Sequence, residues 1–263
     1  MRLFKFATIS FYLLLASGCA SVYVPPMPEY SLPENSKLGL LVTVGEHPKH
    51  SHVGTTIFNN FVKEYEYDWD MEEAVFQIYK EEIESTTGFS VVNLRDHGIA
   101  ESSDLNFVDI KNKQWAENDA NKVLRQTLIE KGIYAVVSIS EAPTLASLEC
   151  SNYGCAQQYS DGYGLFTRSI FGMDRYVASA SFNISTEIIR PLIDIGAQED
   201  MREVTHFANK NKTIADFSDP ADFKNITEDE LAPAKEGILE FIKSLAAATS
   251  RYLTGANPAS AGL

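Results

Sequence analysis

Three of the five histidines fall inside seven residues, Glu46-His47-Pro-Lys-His50-Ser-His52. Imidazole is the commonest metal ligand, and Glu46 adds a carboxylate. His47, His50 and His52 are therefore a candidate site for zinc or copper. A closed site needs three or four converging ligands, and no other segment obviously completes one. The competing reading is a polar loop tip with solvated imidazoles. A second candidate is the acidic run Glu64-Tyr-Glu66-Tyr-Asp68-Trp-Asp70. Carboxylates at a strand end running into a helix N-terminus meet the helix dipole favourably, whereas acid–base catalysis requires a partner from elsewhere in the fold. Structural use is the expectation. Gly-x-Ser-x-Gly, Ser-x-x-Lys, a phosphate loop and a dinucleotide fingerprint are all absent from the sequence. The chain is expected to be non-enzymatic and to hold no cofactor.

Recognition chemistry is concentrated between residues 143 and 174. Tyr153, Tyr159, Tyr163, Phe166 and Phe171 follow one another there, with Arg168 inside the segment and Arg175 just beyond it. Aromatic and arginine side chains dominate the energetics of protein interfaces, and thirty-two residues without clear periodicity are long for a plain connection. The segment reads as a loop that binds a partner, with Tyr153, Tyr159, Tyr163, Phe166 and Arg168 as its contacts. Alternatively, the aromatics fold over a sheet edge and plug it.

The N-terminus says where this chemistry would operate. Arg2 and Lys5 precede a short apolar run over residues 6–16, and Ala16-Ser17-Gly18 leads to Cys19. A mainly apolar run of eleven residues is too short to span a bilayer, and the small residues suit a signal cleavage site. The arrangement resembles the lipobox of bacterial lipoproteins, with Ala16 where that family prefers Leu. The resemblance implies acylation of Cys19, removal of residues 1–18 as a signal peptide, and palmitate-type anchoring. An ordinary secreted protein cut at the same bond is the alternative. Ala20 after the cysteine, in place of Asp, resembles outer-membrane sorting, so the expected location is the outer membrane, facing the periplasm.

With Cys19 assigned to the anchor, Cys150 and Cys155 remain as a pair in an oxidising compartment. A Ser-Asn-Tyr-Gly turn between them would bring the two face to face in a hairpin, and a disulfide is the preferred reading. A reactive dithiol or a zinc site stays open, although the first normally has a two-residue gap and the second lacks a further cysteine pair. Net charge is −14, and −16 once Arg2 and Lys5 leave with the signal. That excess argues against nucleic acid and against electrostatic adhesion to anionic lipid, leaving the acyl anchor as the only expected membrane link.

The positioning elements follow from periodicity. Residues 19–36 hold four of the ten prolines and read as a semi-rigid tether reaching at most ~50 Å. Residues 37–44 are a near-continuous apolar strand, residues 45–51 a loop and residues 53–65 a second strand. Asp70-Met-Glu-Glu73 has the form of a capping box and opens a helix ending at Gly88. Residues 89–94 form a short strand, 96–112 a polar loop, 115–131 a helix and 133–139 another buried strand. Residues 175–190 alternate as a long half-exposed strand, with 203–209 as a possible partner, and Thr227-Glu-Asp-Glu230 caps a final helix. The tail after residue 253 reads as disordered. The expectation is one α/β domain over residues 37–253, with a mixed, mostly buried sheet flanked by helices, a long antiparallel strand and a C-terminal helix.

That element order is similar to a group of periplasmic α/β lipoprotein domains, which includes the outer-membrane activators of penicillin-binding proteins and the curli-secretion lipoprotein. The resemblance rests on residues 37–44 and 133–139 as central strands and on the strand at 175–190. It implies an accessory factor of envelope assembly whose partner is another envelope protein. The histidine run supplies the alternative, a small-ligand or metal-binding lipoprotein.

Overall fold

The computed structural model describes residues 23–33, 35–99, 105–151, 154–160, 162–171, 173–198, 208–215 and 217–254; for 144–151, 154–160, 170, 173 and 208–212 it describes the backbone alone. Cys19, Tyr153 and the tail beyond residue 254 lie outside it. The chain is an α/β domain built on a nine-stranded mixed sheet among the described residues, ordered 61–64, 49–53, 162–170, 173–189, 133–141, 37–43 and 90–93, with 192–194 and 208–213 also paired to 173–189.

Strand β1 (Lys37–Thr43) runs parallel to β4 (Ser90–Asn93) and β7 (Ile133–Glu141). Its continuous apolar pattern reflects a strand covered on both faces. On one face Leu38, Leu40 and Val42 pack with Val137, Ile139, Phe182 and Ile184 under helices α1 (Met71–Thr87) and α3 (Glu228–Leu253). On the other, Leu41, Val136 and Ile189 pack with Leu94, Phe107 and Val108 and with Leu128 and Ile129 of α2 (Lys122–Glu130). Met71, Val75, Tyr79 and Ile83 form the buried stripe of α1 at four-residue spacing, and Gly88, in left-handed conformation at φ 75°, ends it. The capping box of α3 is present: the Thr227 hydroxyl accepts from the Glu230 amide while the Glu230 carboxylate accepts from the Thr227 amide. The one expected for α1 is not. Asp70 sits at φ 49° with no side-chain cap bond, because its amide donates to Asp68 Oδ1 at 2.7 Å in a tight turn.

The long strand organises the rest. β11 (Met173–Ile189) carries seventeen residues. Its first part runs between β10 (Gly162–Ile170) and β13 (Ala208–Thr213), and its second between β7 and β12 (Leu192–Asp194). Its outward face is covered only in part: Ser179 and Ser181, expected in solvent, are buried, and the Ser181 hydroxyl donates to the Ala142 carbonyl at 2.6 Å, whereas Asn183 is exposed and Ser185 half-buried as expected.

Several sequence expectations are corrected. Residues 53–65 are not one strand. β2 (Lys49–Val53) and β3 (Phe61–Glu64) flank a short 3-10 turn at Ile57–Asn59, and β2 begins inside the expected histidine loop. The helix expected at 115–131 is shorter, because a hairpin of β5 (Val108–Lys111) and β6 (Gln114–Glu117) precedes it. Asn112 and Lys113 both take positive φ there, the geometry of a two-residue turn, and Val123 faces solvent. Residues 143–174 are strands and not a loop: β8 (Thr144–Ser151), β9 (Gly154–Ser160) and β10. Gly164 is the reason β10 can join the sheet. A Cβ there would lie 1.9 Å from the Lys49 carbonyl oxygen, so only glycine permits the parallel approach to β2.

The tether is corrected too. Met27, Tyr30 and Leu32 pack against the main core. The Tyr30 hydroxyl lies 3.2 Å from the carbonyls of both Tyr252 and Leu253, and the Trp115 indole donates to the Pro26 carbonyl at 3.2 Å. From Tyr23 onward this segment is docked on the domain.

Candidate functional site

The histidine run is split by the fold. Alternation along β2 turns His50 and His52 to one face, where His50 is fully buried, while His47 stays at the strand entrance with Nδ1 3.2 Å from the Tyr67 carbonyl. Both buried rings converge on one hydroxyl of β10. His50 Nε2 is 2.7 Å and His52 Nδ1 2.6 Å from Thr167 Oγ1, and His50 Nδ1 is 3.1 Å from the Tyr65 hydroxyl. One proton on each ring satisfies the chain Tyr65–His50–Thr167–His52, the arrangement of two neutral imidazoles. Burial, with His52 as a like-charged neighbour, pushes His50 down from 6.5 to about 3, and burial also lowers His52.

Phe61 and Phe223 pack on these rings, and the strap of residues 217–226 closes over them. Tyr67 donates to the Ile226 carbonyl at 2.9 Å, Tyr176 donates to Asp219 at 2.8 Å, and Lys63 bonds the Lys224 carbonyl. The expected three-histidine metal site is therefore not assembled. Among the described residues no group of three His, Cys, Asp or Glu side chains is placed to hold a metal ion. The two central imidazoles are spent on Thr167, and the array is a polar lock beneath the strap.

The aromatic series divides likewise. Tyr163 is buried and donates to the Gly45 carbonyl at 2.7 Å, and burial with Glu141 nearby raises its pKa. Phe166 is buried opposite Val177. These two build the sheet and do not form a recognition surface. Arg168 is partly exposed and pairs in register with Arg175. Tyr153 and the side chains of Tyr159, Cys150 and Cys155 lie outside the described residues. The backbone does set Cys150 directly across from Cys155 in the β8–β9 hairpin.

Of the acidic run, Asp68 and Asp70 line a cleft of about 470 Å³ with Gly45, Glu46, Glu72, Glu73 and Arg95, outside the carboxyl end of β1; Glu64 and Glu66 do not reach it. Arg95 bonds the Val42 carbonyl at 2.9 Å and Glu72 at 2.5 Å, tying α1 to the sheet.

An exposed surface that sequence reasoning missed lies beside the histidine lock. Phe58 is 91% exposed, Ile57 78% and Phe171 84%. The first two stand on the β2–β3 turn and the third on the β10–β11 turn. Thr55 laces the turns together: its hydroxyl donates to the Ser169 carbonyl at 3.3 Å and accepts from the Phe171 amide at 3.1 Å. Neither 53–62 nor 169–173 contains an Asp, Glu, Lys or Arg. The available signal was that absence of charge; Ile57 and Phe58 were instead read as strand residues.

No family model matches this chain, and no curated protein matches it. Among solved structures it is similar to a neuraminyllactose-binding hemagglutinin homolog from Helicobacter pylori at 11% identity, over 89% of this chain and 92% of that one, with a TM-score of 0.28. At that score the likeness carries no argument about function. Among the described residues no helix is long and apolar enough to cross a membrane.

Proposed function

We propose that this chain is a lipid-anchored, non-enzymatic envelope protein that binds another protein through its uncharged tip. The observation that carries the reading is the tip itself: Ile57, Phe58 and Phe171 exposed together on two turns braced by Thr55. Large apolar side chains held rigidly in water are costly to a free protein and favourable in an interface core, where aromatic anchors supply most of the binding energy. The lipobox at Cys19 and Ala20 after it support an outer-membrane anchor with the domain in the periplasm. A photocrosslinking phenylalanine analogue at position 58 or 171, expressed in cells, tests the binding. Capture of the same protein from both positions, lost in a Phe58→Ser/Phe171→Ser form that still melts normally, supports the proposal. Crosslinks absent from both positions refute it.

A further inference from the structure

The docked N-terminal segment limits how far the domain can stand from its anchor. Tyr23 is four steps along the chain from Cys19, and extended chain spans at most ~3.6 Å per step, so Tyr23 lies within ~14 Å of Cys19 whatever path the chain takes. A free leash from residue 19 to 36 would allow several times that distance. Tyr30 on the ends of α3 and Trp115 on Pro26 hold the segment to the domain over its length. Acyl chains on Cys19 must enter the bilayer, so the surface around Tyr23 is brought to the headgroup layer.

That surface has fitting chemistry. Tyr23 is about half exposed, and the Lys113 ammonium sits 5.5 Å from its ring centroid. Lys113 occupies the turn of the β5–β6 hairpin, Trp115 follows on β6, and Ile110 of β5 is exposed. Tyrosine and tryptophan, each with an apolar body and a polar edge, favour the interface between lipid and water, and lysine reaches its phosphates. Lys111 is engaged by Asp119 at 2.7 Å. The contact therefore depends on the short chain and the aromatics, and not on a basic patch.

We infer that the domain rests on the bilayer that holds its acyl chains, through the Tyr23 and β5–β6 surface, and that its uncharged tip points away. This rests on acylation of Cys19, as proposed above. The hairpin packs beside β12, which pairs with residues 187–189 of β11, whereas the tip precedes residue 173. Fifteen steps of strand at ~3.3 Å put roughly 50 Å along β11 between the two ends.

The test is energy transfer from a fluorescent amino acid at position 113 or 58 to headgroup-labelled lipid, using the full processed chain in vesicles of phosphatidylethanolamine and phosphatidylglycerol. Labelled palmitate incorporation is measured on the same preparations. Transfer several-fold higher from position 113 than from position 58 is expected. Equal transfer from both positions, in protein that has incorporated palmitate, overturns the orientation while leaving the anchor intact. Failure to incorporate palmitate overturns the anchor, and the orientation with it.

Discussion

Acid should loosen this domain through one residue, His50. Its folded pKa is about 3 and its ordinary value 6.5. The unfolded chain therefore takes up a proton near pH 6.5 that the folded chain refuses until about pH 3. Stability from this group is complete above pH 6.5 and is lost as pH falls through that window. With 1.36 kcal/mol per unit, the loss is about 2 kcal/mol at pH 5 and up to about 5 kcal/mol near pH 3. Burial lowers His52 as well, so its contribution has the same sign. Carboxylates also titrate in acid, so the measurement is a difference. Urea unfolding of residues 19–263 carrying Cys19→Ser, and of the same chain carrying His50→Gln, at pH 7.5 and pH 5, isolates the contribution of this ring. The histidine form should lose about 2 kcal/mol more between the two pH values than the glutamine form. Parallel losses in the two proteins would refute the claim that burial holds this ring neutral.

Further outcomes test other parts of the reasoning. Gly164→Ala places a Cβ 1.9 Å from the Lys49 carbonyl, and calorimetry should show a loss of ~3 kcal/mol or more, or a chain that does not fold. Thr227→Ala removes the α3 capping box and should cost ~1 kcal/mol by urea unfolding, with the unfolding slope unchanged. Tyr30→Phe deletes the hydroxyl that meets two helix-end carbonyls; a stability loss of ~1 kcal/mol with faster amide exchange confined to residues 23–33 is expected. The backbone sets Cys150 opposite Cys155 in register, so mass spectrometry of the chain recovered from cells, alkylated while denatured, should find both blocked until a reductant is added.

The parts legible in the sequence were those in which one physical signal acted alone. β1 and β7 announce themselves because both faces are buried, and α1 and α3 because an apolar stripe repeats at helical spacing. β2 failed that test: Lys-His-Ser-His-Val contains one aliphatic residue, and its period of two appears only if neutral histidine is counted as a core side chain. β10 was hidden by Gly162 and Gly164, which suggest a loop until the backbone they accommodate is known. At 115–121 Ala116 and Ala120 matched a helical face by coincidence, while the Asn112–Lys113 turn set a hairpin instead. The histidine lock needed Thr167, more than a hundred residues away, and no local pattern reports a pairing between β2 and β10. The exposed tip needed two turns from distant segments, and neither one carries it alone.

β11 also has a mechanical meaning. A tug between the Phe58–Phe171 tip and the Tyr23 end is directed along a single uninterrupted strand flanked by β10, β13, β7 and β12. Force in that direction slides whole rows of backbone hydrogen bonds past one another at once, where a sideways pull would peel them singly. Load between those two ends falls on β11 and its neighbours in shear, while β3 and β4, at the outer edges, each pair with one strand of the sheet among the described residues.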